Sequence, residues 1–201
     1  MRRIVAGLFM SLDGVVESPY KWGFQYMNEE LTQRITAGIA QADAVLLGRR
    51  TFLEFAELWP NQGSDVPMAH FLNSSPKYVV SATLHTPLKW ANSSLISGDL
   101  RRELTKLKQQ PGKNIQIPGS PMLVRSLLRD GLLDELGLSI CPVVVGSGMH
   151  LFDEITTQIA LKLVDSTTFS NGMLGVTYQP AETGAGAPDA SVSFPDAAAR
   201  N

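Results

Sequence analysis

Short apolar runs alternate with amphipathic stretches along most of this chain. Ile4-Val5-Ala6-Gly7-Leu8-Phe9-Met10 reads as a buried strand within residues 2–12. Asn28 stands before Leu31, Ile35 and Ile39, whose four-residue spacing predicts an N-capped helix through Gln41. A strand over 43–48 ends at Gly48, and the helix after it must stop before Trp59-Pro60. A Gly/Asp/Pro loop at 60–66 precedes a short helix at 67–73 and a buried strand at 77–81. Asp99 opens a helix with Leu100, Leu104 and Leu107 on one face, closed by Pro111-Gly112. Strand 113–117, helix 121–130 and a stop at Gly131 follow. The last third changes character. Residues 135–145, 161–169 and 173–179 read as strands without long helices between them, and Ser170-Asn171-Gly172 is a hairpin signal. Parallel βαβ units with an antiparallel end predict a three-layer α/β fold, its central sheet mostly parallel and its C-terminal strands antiparallel. One domain over residues 1–180 is expected, followed by a flexible Ala/Gly/Pro/Ser-rich tail at 181–201.

Composition narrows the function classes. The 201 residues are 44% hydrophobic and 18% charged, with a net charge of -2 and no basic stripe, so nucleic acid is not an expected partner. No apolar run approaches the roughly 18 residues of a membrane span. Met1-Arg2-Arg3 before an apolar run has the charge order of a signal peptide, but Asp13 interrupts it at once, and a first strand is the better reading. Cys141 is the only cysteine, which excludes an internal disulfide and a cysteine-based zinc site and leaves a cytoplasmic setting as the expectation. His70, His85 and His150 share no ligand spacing, so no metal is expected.

Two strand-to-helix turns carry the candidate chemistry. In Asp43-Ala44-Val45-Leu46-Leu47-Gly48-Arg49-Arg50-Thr51, an apolar strand meets a glycine, and two arginines and a threonine open the next helix. In Ile115-Gln116-Ile117-Pro118-Gly119-Ser120-Pro121, Gly119 allows close backbone approach, Ser120 can cap the helix, and Pro121 sits where a missing amide hydrogen costs nothing. A helix N-terminus attracts anions through free amides and its dipole. Two such ends on one sheet suit a dinucleotide, which makes a nicotinamide cofactor the leading idea. Gly146-Ser147-Gly148 is not a nucleophile elbow, because Val145 stands where the pattern needs glycine. Asp134-Glu135 reads as a strand entry and possible subunit contact.

Ser11-Leu12-Asp13-Gly14, the stretch Asp43 to Thr51, Trp59-Pro60, Pro76 to Ser81, Gly119-Ser120, Gly131 to Leu136, and Pro142 to Gly148 with Leu151-Phe152 occur in that order over residues 3–179. In this order they resemble the dihydrofolate reductase-like family, in its branch related to the reductase domain of the bifunctional riboflavin-biosynthesis deaminase–reductase. The resemblance implies NADPH as cofactor, held across the carboxyl ends of the central strands. It implies that Gly48, Arg49 and Thr51 cradle phosphates from one helix end and Gly119 and Ser120 from the other. Ser81, with Thr83 beside it, would meet the adenosine ribose and its 2′-phosphate. Asp13 would border nicotinamide and substrate, where it either supplies or relays a proton, binds a polar substrate edge, or only holds its own loop beside Gly14. Trp22, Phe24, Tyr26 and Trp59 either stack on a heteroaromatic ring or pack the lid.

The implied activity is NADPH-dependent reduction of a small heterocycle, in the manner of a 5-amino-6-(5-phosphoribosylamino)uracil reductase. The alternatives are a dihydrofolate or pterin reductase and a non-catalytic NADP-binding protein. Lone Cys141 excludes the zinc deaminase half. Related reductase domains commonly pair, so a homodimer is expected, packed through the apolar C-terminal strands.

Overall fold

The alternation in the first strand becomes a two-sided sheet. In the computed structural model, which describes residues 1–63 and 65–181, β1 (Ile4–Ser11) buries Ile4, Ala6 and Leu8 on one face. It is followed by α1 (Glu29–Ala40), β2 (Ala42–Gly48), α2 (Arg49–Leu58), α3 (Pro67–Ser74), β3 (Lys77–Val80) and β4 (Ser93–Ile96). Then come α4 (Leu100–Gln109), β5 (Asn114–Pro118), α5 (Pro121–Arg129), β6 (Glu135–Cys141), β7 (Leu161–Thr168) and β8 (Leu174–Pro180). The eight strands form one sheet in the order β4-β3-β2-β5-β1-β6-β8-β7. β1 to β6 pair in parallel, and β8 joins β6 and β7 antiparallel.

Helices cover both faces. Leu104 and Leu107 of α4 and Leu123, Val124 and Leu127 of α5 pack with Ile4, Ala6, Ala44, Leu46, Ile115 and Ile117. On the other face Ile39 of α1, Phe52 of α2, and Phe71 and Leu72 of α3 pack with Val45, Leu47 and Val79. β2 is buried from Ala44 through Leu47 because it is covered on both sides, as a continuous apolar run requires. The three layers and the antiparallel end are as the alternation predicts, and the turn at 170–172 joins β7 to β8.

Two details differ. β6 ends at Cys141 instead of 145, since Pro142 has no amide hydrogen to continue the ladder. β4 carries no apolar run, and only Ile96 in it is buried; the edge of β3 templates it. The expected tail, apart from Ala181, lies outside the described residues.

Candidate functional site

The C-terminal ends of the parallel strands share one edge. There α2 leaves β2 toward one face and α5 leaves β5 toward the other, which makes the β2/β5 boundary a topological switch point. The two turns meet across it. The amide of Gly48 donates to the Ser120 hydroxyl at 3.0 Å. A Cβ at Gly119 would stand 3.5 Å from the Thr51 methyl. Gly119 (φ +108) and Ser120 (φ 56) are both left-handed, and that pair of backbone angles turns the serine toward Gly48. A left-handed serine is strained by roughly 1 kcal/mol or more, and such strain collects at functional sites.

Ser120 therefore does not cap α5 as expected; its hydroxyl accepts from the other turn, and no side-chain bond closes the first turn of α5. Gly48 likewise offers α2 no side-chain cap. The first-turn amides of α2, and those of α5 after Pro121, which has none, carry no side-chain cap and suit an anion such as a phosphate of a dinucleotide. Arg49 and Arg50 are both exposed, with no ion pair among the described residues, so the structure draws no distinction between them. Ser81 is buried; its hydroxyl accepts from the amides of Thr83 (3.1 Å) and Leu84 (3.0 Å) and lies 3.5 Å from the Thr83 hydroxyl.

Asp13 stands at the end of β1, two strands from Gly48. Its carboxylate accepts from the Ser11 hydroxyl (2.6 Å) and the amides of Val145 (3.1 Å) and Gly146 (2.8 Å). These donors, the Ser11 hydroxyl first, hold its pKa down to about 2, so it carries no proton at neutrality. The rest of the 12–17 loop is sewn to the 143–151 loop by backbone bonds from Leu12 to Val143, Val16 to Met149 and Leu151 to Gly14, and by Glu17 accepting from Met149 at 3.0 Å.

The pattern of apolar and turn positions did not single out Arg125. This buried guanidinium on α5 donates to the carbonyls of Leu151 (3.1 Å) and His150 (2.9 Å) and so joins the Gly119 turn's helix to the Asp13 loop. An arginine among Leu123, Val124, Leu127 and Leu128 on an apolar helix face was the available signal.

Of the four aromatic residues, Phe24 alone is exposed; it packs on Phe9 at 5.6 Å between ring centroids. Trp22 is buried and donates to the Glu17 carbonyl. Tyr26 packs near Phe9 and Ile35, and Trp59 on Phe55. The acidic residues of α1 do not provide a pterin-binding carboxylate. Glu30 accepts from the amide and hydroxyl of Ser170, whose hydroxyl does most to lower its pKa, and Glu29 accepts from Gln33.

Two open surface hollows lie elsewhere. One of about 480 Å³ runs along α1 between Glu29 and Ala40. The other, about 500 Å³, lies at the opposite sheet edge, where Arg3–Glu135 and Lys108–Asp134 pairs already satisfy one another. Neither adjoins the Gly48–Ser120 junction, and the C-terminal edge, where two helix N-termini lack side-chain caps, is the stronger candidate. Among the described residues no cluster of three or more His, Cys, Asp or Glu could hold a metal, and no helix is long and apolar enough to cross a membrane.

Comparison with known proteins identifies the fold and the family. YyaP, an uncharacterized protein of Bacillus subtilis (strain 168), is 33% identical over 181 residues, covering 88% of this chain and 94% of YyaP. A candidate riboflavin biosynthesis protein from Shewanella sp. PV-4 superposes with a TM-score of 0.73 at 21% identity, over 90% of this chain and all of that one. The Thermotoga maritima diaminohydroxyphosphoribosylaminopyrimidine deaminase/5-amino-6-(5-phosphoribosylamino)uracil reductase gives 0.62 at 13%, over 90% of this chain and 57% of that one. Dihydrofolate reductase from Enterococcus faecalis, complexed with NADP(H), gives 0.59 at 12%, over 90% and 97%. At such identities the structures establish the fold, which is dihydrofolate reductase-like. The model of the RibD C-terminal domain matches residues 2–175, and the chain belongs to that family.

Proposed function

We propose that this protein is an NADPH-dependent reductase of a small heterocyclic substrate. The observation that carries the reading is the junction of two uncapped helix N-termini through Gly48 and Ser120, with Arg49 and Arg50 exposed beside it. Gly48, Arg49, Thr51, Gly119 and Ser120 would hold the phosphates, and Ser81 would reach the adenosine ribose. Bound NADPH would supply a hydride from C4 of its nicotinamide to one atom of a C=N or C=C bond, while water protonates the neighbouring atom and NADP⁺ remains. Asp13, ionised and fully engaged, would shape the loop that closes over the substrate. The family's riboflavin-pathway reductases make a pyrimidine the first ring to test.

Tryptophan fluorescence titration tests the cofactor half. Micromolar NADPH binding, weaker for NADH and lost in Arg49→Ala, is the expected result; absence of binding to either nucleotide ends the reading. One observation favours a second reading, a nucleotide-binding protein without catalysis: the only expected proton donor, Asp13, is held ionised. NADPH binding without consumption across a panel of pyrimidines and pterins would select it. A homodimer through β7 and β8 belongs to the same proposal, because β7 is an open sheet edge with Leu163 and Val164 exposed; sedimentation of a monomer would remove it.

A further inference from the structure

The two halves of the C-terminal edge differ in kind. At the β2 and β5 end stand two helix N-termini without side-chain caps and two exposed arginines that make no ion pair among the described residues. At the β1 and β6 end, residues 12–30 and 142–154 carry Asp13, Glu17, Glu29, Glu30, Asp153 and Glu154 against Lys21 alone. Lys21 lies over the Tyr20 ring at 5.8 Å. Arg125 reaches this half from α5, but the carbonyls of His150 and Leu151 and the Glu154 carboxylate occupy its guanidinium. The same half exposes Leu12 (66%), Val144 (67%), Tyr20 (63%) and Phe24 (52%). The bond from the Leu12 amide to the Val143 carbonyl makes Leu12 and Val144 neighbours, and Phe24 leans on Phe9 of β1.

A phosphate monoester placed here would face six carboxylates, with Lys21 the one lysine or arginine of these two segments to meet it. Arg49 and Arg50 lie beyond the intervening β5, about 10 Å away by strand spacing, and the cofactor reading assigns that end to the nucleotide. A flat uncharged ring would instead cover the apolar side chains and gain from their removal from water. We infer that the Asp13 half of the site takes an uncharged heteroaromatic substrate without a phosphate group, unlike the phosphoribosyl compound named for the Thermotoga relative. The inference rests on the reductase reading for its cofactor half and narrows its substrate.

Calorimetric titration of the full chain, with and without NADP⁺, tests it on two pairs of probes: 5-amino-6-ribosylaminouracil and its 5′-phosphate, and riboflavin and flavin mononucleotide. The unphosphorylated member of at least one pair is expected to bind about fivefold or more tighter than its phosphate, a ratio within reach of a few exposed charges. A smaller ratio in both pairs, a preference for either phosphate, or binding of none of the four overturns the inference. Val144→Lys places a cation on an exposed position and should narrow the preference; a preference it leaves unmoved removes the charge argument. NADPH binding is read separately, so its loss with ring binding retained would sink the reductase reading and leave this one standing.

Discussion

At the scale of single residues, two ionisable groups are held far from their ordinary behaviour, by opposite means. Asp13 is half-buried, and a hydroxyl and two amides aimed at its carboxylate lower its pKa from 3.8 to about 2. Its folded-state pKa lies below the unfolded one, so its contribution to stability is present above about pH 4 and is lost as pH falls toward 2. Asp13→Asn replaces one acceptor oxygen by a donor amide facing Val145 and Gly146. Turnover should then drop tenfold or more, about the loss of a transition-state contact, while NADPH affinity stays within about twofold. Steady-state kinetics beside a binding titration checks this, and an acid limb between pH 5 and 8 that disappears in the variant would restore Asp13 as proton donor. Lys77 is buried with no ion pair among the described residues, held by the carbonyls of Leu72 and Ser75 and lying 4.6 Å from the Trp90 ring centroid. Burial lowers its pKa from 10.5 to about 8. The protonated form is the one the fold disfavours, so stability should rise as pH climbs from 8 toward 10.5, by at most about 3 kcal/mol. Urea midpoints at pH 7.5 and 10 for wild type and Lys77→Met test this; equal pH dependence in both proteins would refute it.

At the scale of elements, α5 links the two halves of the site: its first turn faces Gly48, and one turn on Arg125 holds the loop that Asp13 also holds. Arg125→Met would orphan two carbonyls and free Glu154, at a cost of about 2–3 kcal/mol. For a chain of this size that lowers Tm by roughly 4–12 °C. Because Arg125 donates to the carbonyls of His150 and Leu151 and not to the Gly48–Ser120 junction one turn before it, NADPH affinity should fall less than substrate affinity. Calorimetric unfolding and paired titrations would show this, and an equal loss of both affinities would mean that the helix itself had moved. These elements differ in how much of them the chain announces. The helices over Glu29–Ala40 and Leu100–Gln109 are legible because Asn28 and Asp99 do cap them, accepting from the amides of Leu31 and Arg102. The Gly48 and Gly119 turns are legible as well, since glycine after an apolar strand and before a helix has few other uses. Their junction is not: nothing local tells Ser120 to leave its own helix and accept from a residue 72 positions away. Asp13 could be placed on its loop, but its protonation state depends on amides more than 130 positions downstream.

At the scale of the whole molecule, the candidate site residues come from four separated stretches, at Gly48 to Thr51, at Ser81 and at Gly119-Ser120 for the cofactor and at Asp13 for the substrate, drawn together only by the strand order β3-β2-β5-β1. A ligand that touches the first three binds the folded chain and has no site on the unfolded one. It must therefore stabilise the entire domain and not only a loop. At a hundred times its dissociation constant, NADPH should add about 2.7 kcal/mol. For a single domain of this size that corresponds to a rise in Tm of roughly 5–11 °C. NADH, without the 2′-phosphate, should give a smaller rise at the same concentration. Arg49 is exposed and without an ion pair among the described residues, so Arg49→Ala should unfold within about 1 °C of wild type when no nucleotide is present, as surface substitutions usually do. Its NADPH-dependent rise should be largely lost. Differential scanning calorimetry on the two proteins, each with NADPH, NADH or buffer, gives six transitions that separate the possibilities. A full rise in the variant would remove Arg49 from the phosphate site, and a rise of equal size with both nucleotides would mean that this edge does not read the 2′-phosphate.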